Sequence, residues 1–180
     1  MSASARGTTA NYSKGAAVDR GHSRALRGAL AAVALGGATL LVAAELSPLY
    51  TVLVGSLDTP RRSVSAGSNH GYALALVALV AIAMAAGALR GARAAAAALV
   101  VLGAGALAVA LAIDLPDTRQ SGALRESLAY SEAHARAARG FALELAGAIA
   151  LIVAGAGLLV VGRPRAATEP RSSRRDATPG

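Results

Sequence analysis

Five residues stand where chemistry could be built: Glu45, Asp114, Glu144, His70 and His134. Two imidazoles with carboxylates would suit a borderline divalent ion such as Zn²⁺. A carboxylate inside an apolar segment would suit a proton relay. Glu144 interrupts an otherwise uncharged run, Phe141 to Val161, about one turn from its start. Glu45 and Asp114 stand at the ends of two other such runs, and the histidines fall in the polar segments between them. No HxxxH or ExxH pair sets two ligands on one helix face, so a common site requires tertiary structure to gather these residues. The plainer expectation is that Glu45 and Asp114 mark a water boundary while Glu144 pairs with an arginine or snorkels.

Other chemistries are missing their residues. The chain has no cysteine, which removes disulfides, thiolate metal sites, iron–sulfur clusters and dithiol redox chemistry. It contains neither a GxxxxGK[ST] phosphate loop nor a GxSxG nucleophile elbow. With no nucleophile–base constellation, no enzymatic activity and no cofactor is expected.

The segments that must position the acids are apolar. Hydrophobic residues form 54% of the 180, and only 16% are charged, below the roughly 25% of a soluble domain. Four uncharged or nearly uncharged runs cover about 26–44, 72–89, 94–113 and 141–161. Each approaches the length needed to cross a hydrocarbon core of about 30 Å as a helix. Lipid offers no partner for peptide groups, so such runs must be helical. They do not alternate as barrel strands would. The expected fold is therefore an all-α membrane protein, an antiparallel four-transmembrane-helix bundle spanning 26–161.

Small residues recur every four positions, which would permit close helix approach. The expected seams are Gly28/Ala32/Gly36, Ala83/Gly87/Gly91, Ala104/Ala108/Ala112 and Ala142/Ala146/Ala150/Ala154. Gly91 to Arg93 join the second and third runs as a tight hairpin. Arg90 and Arg93 at its tip would meet anionic lipid headgroups, at about 1 kcal/mol each.

Placement of the basic residues sets the expected orientation. With both ends in the cytoplasm, 12 of the 18 Lys and Arg residues lie inside. Tyr50, Tyr72 and Phe141 then fall at the outer ends of spans, where rings anchor at headgroup level. A cleaved signal ending near Val42-Ala43-Ala44 is the rival reading, disfavoured by a long basic lead and an over-long apolar run.

An outer cap is expected from two loops. Tyr50 to Val54 alternate in strand fashion and could pair with Arg61 to Ser65 across Asp58-Thr59-Pro60, giving a short β-hairpin. Residues 123–139 are strongly helix-forming, and Glu132 and Arg136 stand four apart, so a helix is expected there. Residues 1–25 and 162–180 are polar and basic and are expected to be disordered cytoplasmic tails. Arg174 and Arg175 would favour anionic lipid. Nucleic acid is not expected, for want of an aromatic platform or a reading element.

The Ala/Gly/Leu/Val runs, arginine in place of nearly all lysine (Lys14 alone remains) and the segment ELSPLYTV together resemble small uncharacterised four-span integral membrane proteins of high-GC bacteria. The resemblance implies a bacterial inner-membrane location and no activity. The functional expectation is a non-enzymatic accessory, assembly or sensing subunit in contact with another membrane protein. The alternative is a small transporter or channel component using Glu144 with Glu45 and Asp114.

Overall fold

The computed structural model describes residues 8–54, 59–119 and 133–162, with the backbone alone at 8–20, 59, 61, 62, 69 and 70. Its elements in order are α1 (Thr8–Glu45), β1 (Pro48–Val54), β2 (Thr59–Ser65), α2 (Ala66–His70), α3 (Ala73–Leu89) and α4 (Arg93–Val109). A π-helical turn (Ala110–Asp114), α5 (Leu115–Asp117), β3 (Ala133–Ala137) and α6 (Arg139–Val161) follow.

Three helical stretches are long and apolar enough to cross a membrane: Gly21–Glu45, Arg93–Asp117 and Arg139–Val161. The second apolar run, 72–89, forms α3, which is shorter at 17 residues. Helix α1 packs on α3 and α6, and α4 packs on the same two. The four long helices thus close a ring in which every neighbour is antiparallel. At one end sit β1, β2, β3 and α2; at the other is the Arg90–Ala92 turn between α3 and α4.

Alanine and leucine fill the core: Ala34, Ala38, Leu41, Ala78, Ala81, Leu99, Ala148 and Leu151 are all buried. Such small side chains let backbones come close, which substitutes for a hydrophobic drive between helices in lipid. A Cβ added at Gly103 would lie 2.8 Å from the Ala148 carbonyl, and one at Gly147 would lie 2.8 Å from that of Gly37.

The seams differ from the expected ones. Gly28, Gly36 and Gly105 have nothing within 4 Å of a would-be Cβ. Ala104, Ala108, Ala112, Ala142 and Ala146 are exposed on the outside of the bundle. The contact seams run instead through Ala34/Gly37/Ala38/Leu41, Leu99/Gly103/Ala106/Ala110 and Gly147/Leu151/Ala154/Gly155. Alanine occurs on every face of these helices, so four-residue spacing alone carries no phase.

Two further expectations are corrected. Residues 8–25, expected to be disordered, continue α1 without a break. Once the following run is helical, each added residue gains a hydrogen bond at no new nucleation cost. The helix expected over 123–139 is replaced at 133–137 by β3, while 120–132 lie outside the described residues. The expected hairpin of β1 and β2 is present, with Val54 opposite Thr59. It leaves the other edge of β1 unpaired, and β3 fills that edge antiparallel, giving sheet order β2-β1-β3. Pairing of peptide groups overrides the local helix preference of AHARA, since orphaned N–H and C=O groups at a covered edge are costly.

Helix α6 starts tight beneath this sheet. Ala138 N–H donates to the Leu49 carbonyl at 2.9 Å. A Cβ at Gly140 would lie 2.5 Å from the Pro48 carbonyl, so only glycine lets α6 enter there.

Candidate functional site

The buried stripe of α1 runs Ala31, Ala34, Ala38, Leu41 and then Glu45. That of α6 runs Leu158, Ala154, Leu151, Ala148 and then Glu144. Each acid therefore takes the position that the next alanine or leucine would have filled, at the sheet end of the bundle. Both are enclosed: Glu45 is 2% exposed and Glu144 0%.

Asp114 reaches the same layer by a change in helix geometry. The buried positions of α4 step by three and four through Ala96, Leu99, Gly103, Ala106 and Ala110. The next regular step of three would bury Ile113. Instead the chain makes a π turn, in which Leu115 N–H donates to the Ala110 carbonyl five residues back. This wider turn holds one extra residue. Ile113 is consequently 50% exposed and Asp114 is 0% exposed. Glu45 and Asp114 are thus enclosed by protein at the sheet end of the bundle.

The three acids converge. Asp114 lies close enough to Glu144 for a side-chain hydrogen bond, and Glu45 is within coulombic range. Among the described residues, no basic group is among the charges acting on Glu144. Among the described residues, neither Oε1 nor Oε2 of Glu144 has a hydrogen-bond donor, nor does Oε2 of Glu45. Pairing of Glu144 with an arginine, the plainer expectation, is not what the described residues show.

Glu45 has one firm partner. Its Oε1 accepts the Leu74 N–H at 2.7 Å, a buried contact between α1 and α3. The residue before α3, Tyr72, makes no side-chain capping bond of its own. Glu45 therefore caps α3 from another helix, with its carboxyl group at the positive end of the α3 dipole. The turn is shaped to allow this. Gly71 (φ 58°) and Tyr72 (φ 63°) are successive left-handed residues, and they aim the first N–H groups of α3 at the acid. Left-handed backbone is costly for tyrosine. Gly67 of α2 closes over the carboxylate: a Cβ there would be 3.0 Å from Glu45 Oε2 and 2.7 Å from the Tyr72 ring.

Among the described residues no three His, Asp or Glu side chains are arranged to hold a metal ion. His134 is half-buried on β3, opposite Leu53 in the register. His70 ends α2, and its side chain lies outside what is described.

Arg90 and Arg93 are exposed at the α3–α4 turn, at the other end of the bundle. A shallow hollow there is lined by Arg27, Arg93, Gly91 and Leu158, and Arg27 donates to the Val161 carbonyl at 3.3 Å. Arg174 and Arg175 lie outside the described residues.

Sequence reasoning missed the Leu74 N–H, Gly67 and the π turn. A signal was present for the burial of the acids. Counting back from Glu45 or Glu144 in steps of three and four lands on the contact seams, because an acid cannot face lipid cheaply and so fixes the phase of its helix. No family model, curated relative or solved structure matches the chain.

Proposed function

We propose that this chain is a four-span inner-membrane protein with both ends in the cytoplasm, and that it is a small ion-linked transport or channel component centred on Glu144, Asp114 and Glu45. The observation that carries the functional reading is Glu144: fully buried in an apolar helix, beside two further acids, with no donor on either oxygen among the described residues. Ionisable groups at such depth are expensive and mark ion pathways and proton relays. A purely structural role would leave that cost without a compensating bond.

The fourth span rests on packing. Helix α3 lies in the ring between α1 and α4. Its own length is about 25 Å at 1.5 Å per residue, and a bilayer that holds its longer neighbours encloses it. Cysteines placed singly at Ser68, Ser121 and Ser172 test the orientation. An impermeant thiol reagent added outside should modify the first two and spare the third; the reverse pattern would invert the topology.

For the function, purified protein is reconstituted in liposomes carrying an internal pH dye, and pH, Na⁺ and K⁺ gradients are imposed in turn. Wild type should dissipate at least one gradient faster than empty vesicles. Glu144→Gln should insert, melt normally and lose that flux. Equal flux in both proteins, or none above empty vesicles, would remove the transport reading.

The second reading is a non-enzymatic accessory, assembly or sensing subunit that contacts another membrane protein. The three-stranded cap favours it, because β2 and β3 are the edge strands of the described sheet and an edge can accept a partner strand.

A further inference from the structure

We propose that the Asp114–Glu144 pair binds a single proton, shared between facing carboxyl oxygens, while Glu45 serves as the cap of α3. This rests on reading the cluster as the functional centre and names its ligand. Two carboxyl groups at hydrogen-bonding separation need a hydrogen between them. Two ionised groups in that arrangement have only acceptors facing each other and repel, so such pairs hold one proton for two acids. Glu144 shows this shortage directly: among the described residues no donor reaches either of its oxygens.

The surroundings separate the roles of the three acids. Glu45 already receives a peptide N–H and faces a helix N-terminus, which stabilises a negative charge. The charged groups acting on Glu144 are Asp114, from the π turn after α4, and Glu45, from α1. Beta strand β1, which also packs on α6, contributes Tyr50 as its one titratable residue. Among the described residues no cation offsets the two acids acting on Glu144, and a proton is the smallest counter-charge that fits between carboxyl groups at hydrogen-bonding separation. A metal ion would need three or more ligands spread around it, and the described residues do not provide that set. The proton comes from water at the sheet end and leaves the pair with one negative charge instead of two.

Infrared spectroscopy of the purified protein at neutral pH tests the proposal without reference to flux. Wild type should show the carbonyl stretch of one protonated carboxyl group that shifts in D₂O, and Glu144→Gln should lack it. The amide of Glu144→Gln can donate to Asp114 as the protonated acid does, so its melting temperature should match wild type. Asp114→Asn is the companion variant and should also remove the shared-proton band. Absence of the band from wild type, or its survival in both variants, would overturn the proposal. So would a melting temperature that rises with Na⁺, Ca²⁺ or Zn²⁺ in wild type and not in Glu144→Gln, since a cation would then be the native ligand. Because these measurements need no transport, a protein that holds the proton but moves no ion would sink the transport reading and leave this one standing.

Discussion

Gly103 and Gly105 are two residues apart in α4, and the structure gives them opposite fates on substitution by alanine. A methyl at Gly103 would meet the Ala148 carbonyl oxygen at 2.8 Å, the Ile152 side chain at 2.8 Å and the Ile152 nitrogen at 2.9 Å. Two of those three are backbone atoms of α6, which cannot turn aside. Ordinary carbon contacts begin near 3.5 Å, so α4 and α6 would have to part by about half an ångström or more. Overpacking of this kind costs about 1–3 kcal/mol. Alanine regains about 1 kcal/mol of helix propensity over glycine. The net expectation for Gly103→Ala is destabilisation of up to about 2 kcal/mol. At Gly105 the would-be methyl meets nothing within 4 Å, so only the propensity gain applies and Gly105→Ala should be neutral or stabilising by up to about 1 kcal/mol. Equilibrium unfolding in mixed micelles, followed by helical circular dichroism, would measure both. The opposite ranking, with Gly103→Ala the more stable variant, would show that α4 does not meet α6 on this face and would remove the bundle on which the acidic site depends.

Other outcomes follow from the same geometry. Glu45→Ala should destabilise by about 1–2 kcal/mol through loss of the Leu74 N–H acceptor, while Glu45→Gln, which keeps a carbonyl oxygen there, should lose less than half of that in the same unfolding assay. Deleting Ala112 should convert the π turn to regular helix and keep the acid inward, because three residues from Ala110 is the step the stripe would take next; inserting an alanine after Ala112 should instead swing it outward. Recovery of folded protein from membranes and its melting temperature would separate the two, with the deletion close to wild type and the insertion strongly impaired.

Several elements were legible from local segments alone. Run length and the lack of charge marked the apolar helices, glycine and arginine marked the α3–α4 turn, and alternation from Tyr50 to Val54 marked the first hairpin. These follow from peptide groups and side chains within one segment, which meet the same solvent whatever the rest of the chain does. Residues 8–25 carry no helix signal in their own composition, whereas α1 extends cooperatively from the apolar run that follows. Tertiary structure decided the rest. It turned AHARA from helix to strand, since the empty edge of β1 exists only once β1 has paired with β2. It chose among the small-residue seams, since alanine and leucine surround these helices and give no preferred face, and it let the buried acids set the phase. It also inserted the π turn that exchanges Ile113 for Asp114. Three acids separated by 69 and 30 positions in sequence meet because α1, α4 and α6 pack in antiparallel order, and no local rule on any one helix records its neighbours.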